Sequence, residues 1–167
     1  MPQLHRSVIP PNSSNAMNSA LESYTHSHIP TGVLRRAGTV MIVDDEAALR
    51  TVGKAILSTL NLKVQTAASG EDVLSALESA RQQQSGLPDV ILLDLTMPGG
   101  MSGLDTFDKL QEQFPSIAVI ACSGFFEEGA EDVCQRLGFV DMLAKPYTPD
   151  ALLSIVRRAL TRIAGDC

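Results

Sequence analysis

The run Asp89-Val-Ile-Leu-Leu-Asp-Leu-Thr-Met-Pro98 settles the architecture of this chain. Val90 to Leu93 are all apolar, so a strand over them has no polar face and needs cover on both sides; it then closes on one acid, Asp94. Three other apolar runs lead into polar residues in the same way. Thr39 to Val43 precedes Asp44-Asp45, Ile117 to Ala121 precedes Ser123, and Phe139 to Leu143 precedes Lys145. In a parallel sheet every strand points the same way, so the carboxyl ends meet along one edge, where doubly wound folds bind ligands. The acids, the serine and the lysine therefore read as one site.

Helical patterns separate these runs. Glu46 to Leu60 carries Leu49, Val52, Ile56 and Leu60 at spacings of three and four, one buried stripe. Leu62 to Ala67 is a second strand, more polar and suited to a sheet edge. Ser69-Gly-Glu-Asp72 predicts a capping box, with Asp72 in the reciprocal position and Val73, Leu74 and Leu77 inward, and Gln82 to Gly86 is the exit loop. Ser102-Gly-Leu-Asp105 repeats that signal ahead of Phe107, Leu110 and Phe114, and Pro115 stops the helix. Glu127 to Leu137 is the fourth helix, closed by Gly138. Thr148-Pro149-Asp150 opens the fifth, with Leu152, Leu153, Val156, Leu160 and Ile163 facing the sheet and Arg157, Arg158 and Arg162 toward the negative end of its dipole. Five βα units predict an α/β fold, a single doubly wound (βα)5 flavodoxin-like domain with a parallel five-stranded sheet in the order 2-1-3-4-5. Its switch point falls between Asp45 and Asp94.

A length of 167 residues, 44% hydrophobic and 19% charged, suits one globular domain with a remainder. Residues 1–38, rich in Pro, Ser, Asn and His, read as a flexible N-terminal tail, and residues 39–165 as the domain. The tail is +2 in a chain of −6, which leaves −8 for the rest and argues against a nucleic-acid partner. His5, His26 and His28 all lie in the tail, so the domain has no imidazole for metal or phosphohistidine chemistry. Cys122, Cys134 and Cys167, without a C-x-x-C pair, fit neither a disulfide framework nor a zinc site and suggest the reducing cytoplasm. No apolar stretch approaches about 18 residues, which argues against a membrane span.

Asp44, Asp45 and Asp94 brought together about 4 Å apart would repel by roughly 4 kcal/mol per pair at an effective dielectric near 20. A hard divalent cation relieves this, and Mg2+ fits, since it takes one or two carboxylates and keeps positions for water and phosphate oxygens. Lys145 adds a point positive charge and Ser123 a hydroxyl donor. Around a central carboxylate, these groups suit a transferring phosphoryl group, with Asp94 as the nucleophile. Pro146 fixes the turn that aims Lys145. An aspartyl-phosphate phosphohydrolase is the alternative, but such an enzyme wants a second acid two residues past its nucleophile, where Thr96 stands.

From Thr39 to about Ile163 the chain resembles the receiver domain of two-component response regulators. The likeness rests on Ile42-Val-Asp-Asp-Glu46, Leu92-Leu-Asp-Leu-Thr-Met-Pro98, Ser123-Gly124 and Ala144-Lys-Pro-Tyr147. It implies that Asp94 is the phosphoacceptor and that Asp44, Asp45, Asp94 and the Thr96 backbone carbonyl hold Mg2+. Ser123 and Lys145 would bind the phosphoryl oxygens, and the Lys145-Pro146 bond is expected to be cis. The resemblance further implies a response regulator that is not a turnover enzyme; with the cytoplasmic reading of the cysteines and no output domain expected after the last helix, the expectation is a cytoplasmic, single-domain response regulator. Its phosphoryl group would come from a sensor histidine kinase or histidine phosphotransfer protein. A downstream protein would be met through the face of helix four, strand five and helix five. A receiver-like module that is never phosphorylated is a further alternative, against which the complete set of acids, Ser123 and Lys145 argues. The loop Met97 to Gly103 is one residue longer than the common receiver pattern, and with Ala144-Lys-Pro-Tyr147 it resembles the terminal receivers of hybrid histidine kinases. Gly124 stands where Ala is more usual. Met142 replaces the aromatic that in the family often swings inward on phosphorylation. Phe125 is expected either to pack on helix four or to sit over the phosphorylation site.

Overall fold

A computed structural model describes residues 38–165 of the chain; the rest of the tail, with His5, His26 and His28, and Cys167 lie outside the described residues. Five strands, β1 (Thr39–Val43), β2 (Lys63–Ala67), β3 (Val90–Asp94), β4 (Ala118–Ser123) and β5 (Asp141–Ala144), form one sheet in the order β2-β1-β3-β4-β5. Every pair is parallel, as the alternation with helices requires. Central β3 is buried along its whole length.

The helices are α1 (Ala47–Ser58), α2 (Gly70–Gln82), α3 (Gly103–Gln113), α4 (Ala130–Leu137) and α5 (Pro149–Gly165). Side chains of a strand alternate between faces. Met41, Val43, Ile91, Leu93, Val119 and Ala121 pack with Val73 and Leu77 of α2, Phe107 and Leu110 of α3 and Cys134 of α4. The other parity sends Val40, Ile42, Val90, Leu92 and Ile120 toward α1 and α5, which bury Ile56, Leu57, Leu152, Val156 and Leu160. Gly53 lets these layers close, because a Cβ there would press on Ile42. Among the described residues no helix is long and apolar enough to cross a membrane.

Both serine caps form, Ser69 Oγ accepting from the Asp72 N–H and Ser102 Oγ from the Asp105 N–H. The carboxylate half of the first box differs from expectation: Glu71 accepts the Met101 N–H at 2.8 Å, which ties the start of α2 to the loop before α3. Helix α4 starts at Ala130, three residues later than the expected start at Glu127, because Gly129 at φ 82° interrupts the helical path. Strand β5 begins at Asp141; Phe139 still belongs to the exit of α4, its N–H bonded to Cys134 O and its ring stacked on Phe107 at 3.7 Å. The stripe of α1 is rotated, with Leu57 fully buried and Leu49, Val52 and Leu60 only partly so. In α5, Ile155 and Ala159 are buried while Leu153 and Ile163 lie nearer the boundary.

Gly103, the first residue of α3, abuts the end of β3 so closely that a Cβ would fall on Asp94 O and Leu95 Cα. Backbone cannot move aside as a flexible side chain does. Gly103→Ala should therefore destabilise the domain by about 1–3 kcal/mol, read from the urea midpoint.

Candidate functional site

The sheet register sets the site. Val43 pairs with Leu93, so the next residues, Asp44 and Asp94, leave adjacent strands side by side. Asp94 itself pairs with Cys122, Ser123 pairs with Ala144, and the Lys145 N–H donates to Ser123 O at 2.7 Å. All the polar strand-end residues thus share one edge.

Asp44 and Asp94 are 3% and 4% exposed, and each of their carboxylate oxygens has a partner. Asp44 Oδ1 accepts the Glu46 N–H at 2.8 Å and Asp94 Oδ1 the Thr96 N–H at 2.9 Å. Lys145 Nζ lies 2.6 Å from Asp44 Oδ2 and 2.6 Å from Asp94 Oδ2, bridging the two strands. Burial opposes the ammonium, but the hydrogen bonds and charges of both carboxylates outweigh it, and the pKa of Lys145 is raised. The lysine stays charged across the neutral range. The Lys145-Pro146 bond is cis.

Asp45 is exposed, and its carboxylate completes a cluster with Asp44 and Asp94 in which one oxygen of each lies within 4.8 Å of the others. Three carboxylates against the Lys145 ammonium leave an excess of negative charge at the cluster, which a divalent cation relieves. The donors are all hard oxygens. The residues present therefore fit Mg2+, with Thr96 nearby in the loop after Asp94.

Two features were not legible in the sequence. Arg50, the fourth residue of α1, donates from Nη1 to Asp44 O at 2.6 Å and Asp45 O at 2.9 Å, so an arginine does attend the acids, through their backbone. Its position five residues past Asp45 was the available signal. Ser123 is 5% exposed, and its hydroxyl accepts the Phe125 N–H at 3.1 Å while donating to Phe125 O at 2.8 Å, rather than facing the acids. Phe125 is 76% exposed and buried against neither α4 nor the strand ends; Phe126 does the packing instead. Met142 packs partly buried against the core beneath α4.

A parallel sheet in this order, with acids at its switch point and a lysine closing over them, defines a class of signalling module. The chain matches the family model of the response regulator receiver domain over residues 40–157, and it belongs to that family. Chemotaxis protein CheY of Listeria monocytogenes is 30% identical over 120 residues, covering 72% of this chain and 96% of that protein. The DNA-binding transcriptional regulator NtrC of Salmonella typhimurium is 32% identical over 124 residues, 74% of this chain but 25% of the relative, so this chain spans about a quarter of that protein. A CheY-like receiver domain from Methanospirillum hungatei has the same fold, with a TM-score of 0.69 at 22% identity over 79% of this chain and 100% of that one. Phosphorylation and Mg2+ binding are features of the family.

Lys145→Met would leave two buried carboxylates side by side, a loss of about 3–5 kcal/mol near neutral pH. Urea denaturation of the variant beside the wild-type chain checks it. At the alkaline end, burial pushes the Cys122 thiol from 9.0 up to about 12. Burial, then the neighbouring Cys122 and Asp44, push the Tyr147 phenol from 10.0 up to about 12. The folded protein holds both neutral where the unfolded chain ionises them, so their stabilisation is complete below about pH 9 and declines as pH rises toward about 12. Urea midpoints should fall between about pH 8 and about pH 10.5, and fall less in Cys122→Ala.

Proposed function

We propose that this chain acts in the cytoplasm as a response regulator, with residues 39–165 as its receiver domain and residues 1–38 as a tail. It accepts a phosphoryl group on Asp94 from a sensor histidine kinase or histidine phosphotransfer protein, and it is not a turnover enzyme. The observation that carries the reading is Lys145 Nζ held 2.6 Å from one oxygen of each buried aspartate, a charged donor stationed over the nucleophile before any phosphoryl group arrives.

In the transfer, an Asp94 oxygen forms the new O–P bond as the P–N bond to the donor histidine breaks, the electron pair leaving on the imidazole. An ammonium has three N–H donors, and two are used by Asp44 and Asp94, which leaves the third for a phosphoryl oxygen. Ser123 has one hydroxyl proton, which it donates to Phe125 O, and it serves a phosphoryl oxygen by releasing that bond. Asp44, Asp45, Asp94 and the Thr96 carbonyl would hold Mg2+, which supplies charge neutralisation at the transferring oxygens. Output through α4, β5 and α5 is supported by a cleft there of about 230 Å3, lined by Glu131, Phe139, Met142, Arg158 and Arg162.

Incubation with acetyl phosphate and Mg2+ should add one phosphoryl group per chain by intact mass. Asp94→Asn should abolish it; labelling that persists in that variant would overturn the assignment of the nucleophile.

A further inference from the structure

The start of α1 breaks an electrostatic rule that the other helices keep. The positive end of a helix dipole favours acids in the first turn and disfavours cations. Acids occupy that turn in α2 (Glu71, Asp72), α3 (Asp105), α4 (Glu131, Asp132) and α5 (Asp150). Helix α1 has none, its N-cap Glu46 makes no side-chain cap, and its fourth residue is Arg50. Helix stability does not account for that arginine. Its contacts do: one guanidinium nitrogen reaches two successive carbonyls, Asp44 O and Asp45 O.

The three acids are held unequally. Asp44 and Asp94 are each fixed by a backbone N–H and by Lys145. The exposed Asp45 carboxylate has no hydrogen bond or ion pair among the described residues, so its direction comes from the backbone that carries it. Arg50 grips the carbonyls of the two peptides that flank the Asp45 Cα.

We propose that Arg50 is a positioning residue for the metal-binding acids: by clasping both carbonyls it holds the strand-end turn so that Asp45 points where a divalent cation needs it. The inference rests on Asp44, Asp45 and Asp94 being a Mg2+ site. It is separable from a plain charge effect by sign. A guanidinium beside the acids repels a second cation, so if charge alone mattered, removing it would tighten Mg2+ binding. Positioning predicts weaker binding.

The test is calorimetric titration of Mg2+ into the full chain without a phosphodonor, with the metal-free urea midpoint measured beside it. Arg50→Gln should weaken Mg2+ by about 10-fold to 100-fold, the range for residues that orient metal ligands. Arg50→Lys keeps a charge and donors on a shorter stem, and should lie between. Unchanged or tighter binding in Arg50→Gln would overturn the proposal. If Arg50→Gln does not unfold cooperatively, Arg50→Lys decides alone, weaker binding supporting the proposal and unchanged binding overturning it. Failure of the wild-type chain to bind Mg2+ would overturn the metal-site reading and this inference with it, an outcome distinct from wild-type binding that Arg50 does not influence.

Discussion

Two buried carboxylates on neighbouring strands have to share a positive charge, and Lys145 supplies it. Its ammonium lies 2.6 Å from both Asp44 and Asp94, joining β1 and β3 with the turn that follows β5. Desolvated like charges at this separation are tolerable only with a counter-charge between them. The site is consequently part of the domain's stability as well as its chemistry. Three segments distant in the chain converge on one nitrogen.

Close backbone packing holds the loop that follows Asp94. Gly103 brings α3 against the end of β3, and Glu71 of α2 holds the loop between them through the Met101 N–H. The Ser123 hydroxyl is paired with the Phe125 backbone at both its donor and acceptor. One proton cannot serve Phe125 and a phosphoryl oxygen fully at once. Under the proposed function, a phosphoryl oxygen on Asp94 that takes the Ser123 proton would release the Phe125 carbonyl, and that connection would not need an aromatic at position 142.

Much of this was legible beforehand. Continuous apolar runs mark strands covered on both faces, serines three residues before an acid mark helix starts, and alternation of the two dictates a parallel sheet, so order, direction and shared edge all followed. What escaped has local causes. Gly129 at positive φ delays α4, although Glu127 and Glu128 look helical by composition. Phe139 reads as strand by hydrophobicity, yet it completes the exit of α4 and stacks on Phe107. Arg50 in the first turn of α1 looks like a solvated charge until its reach to two carbonyls is known.

The amino-acid order alone determined the inventory: which strands exist, that they run parallel, and that Asp44, Asp45, Asp94, Ser123 and Lys145 end up on one edge. Periodicity and strand direction are one-dimensional properties, and these carry that information. Tertiary structure alone decided which oxygen meets which donor, that Lys145 spans both aspartates, that Ser123 turns to Phe125, and that Arg50 attends the acids through their backbone. Those outcomes depend on side-chain torsions and on distances across strands, where a shift of about 1 Å makes or breaks a hydrogen bond. No spacing in the sequence encodes a difference that small.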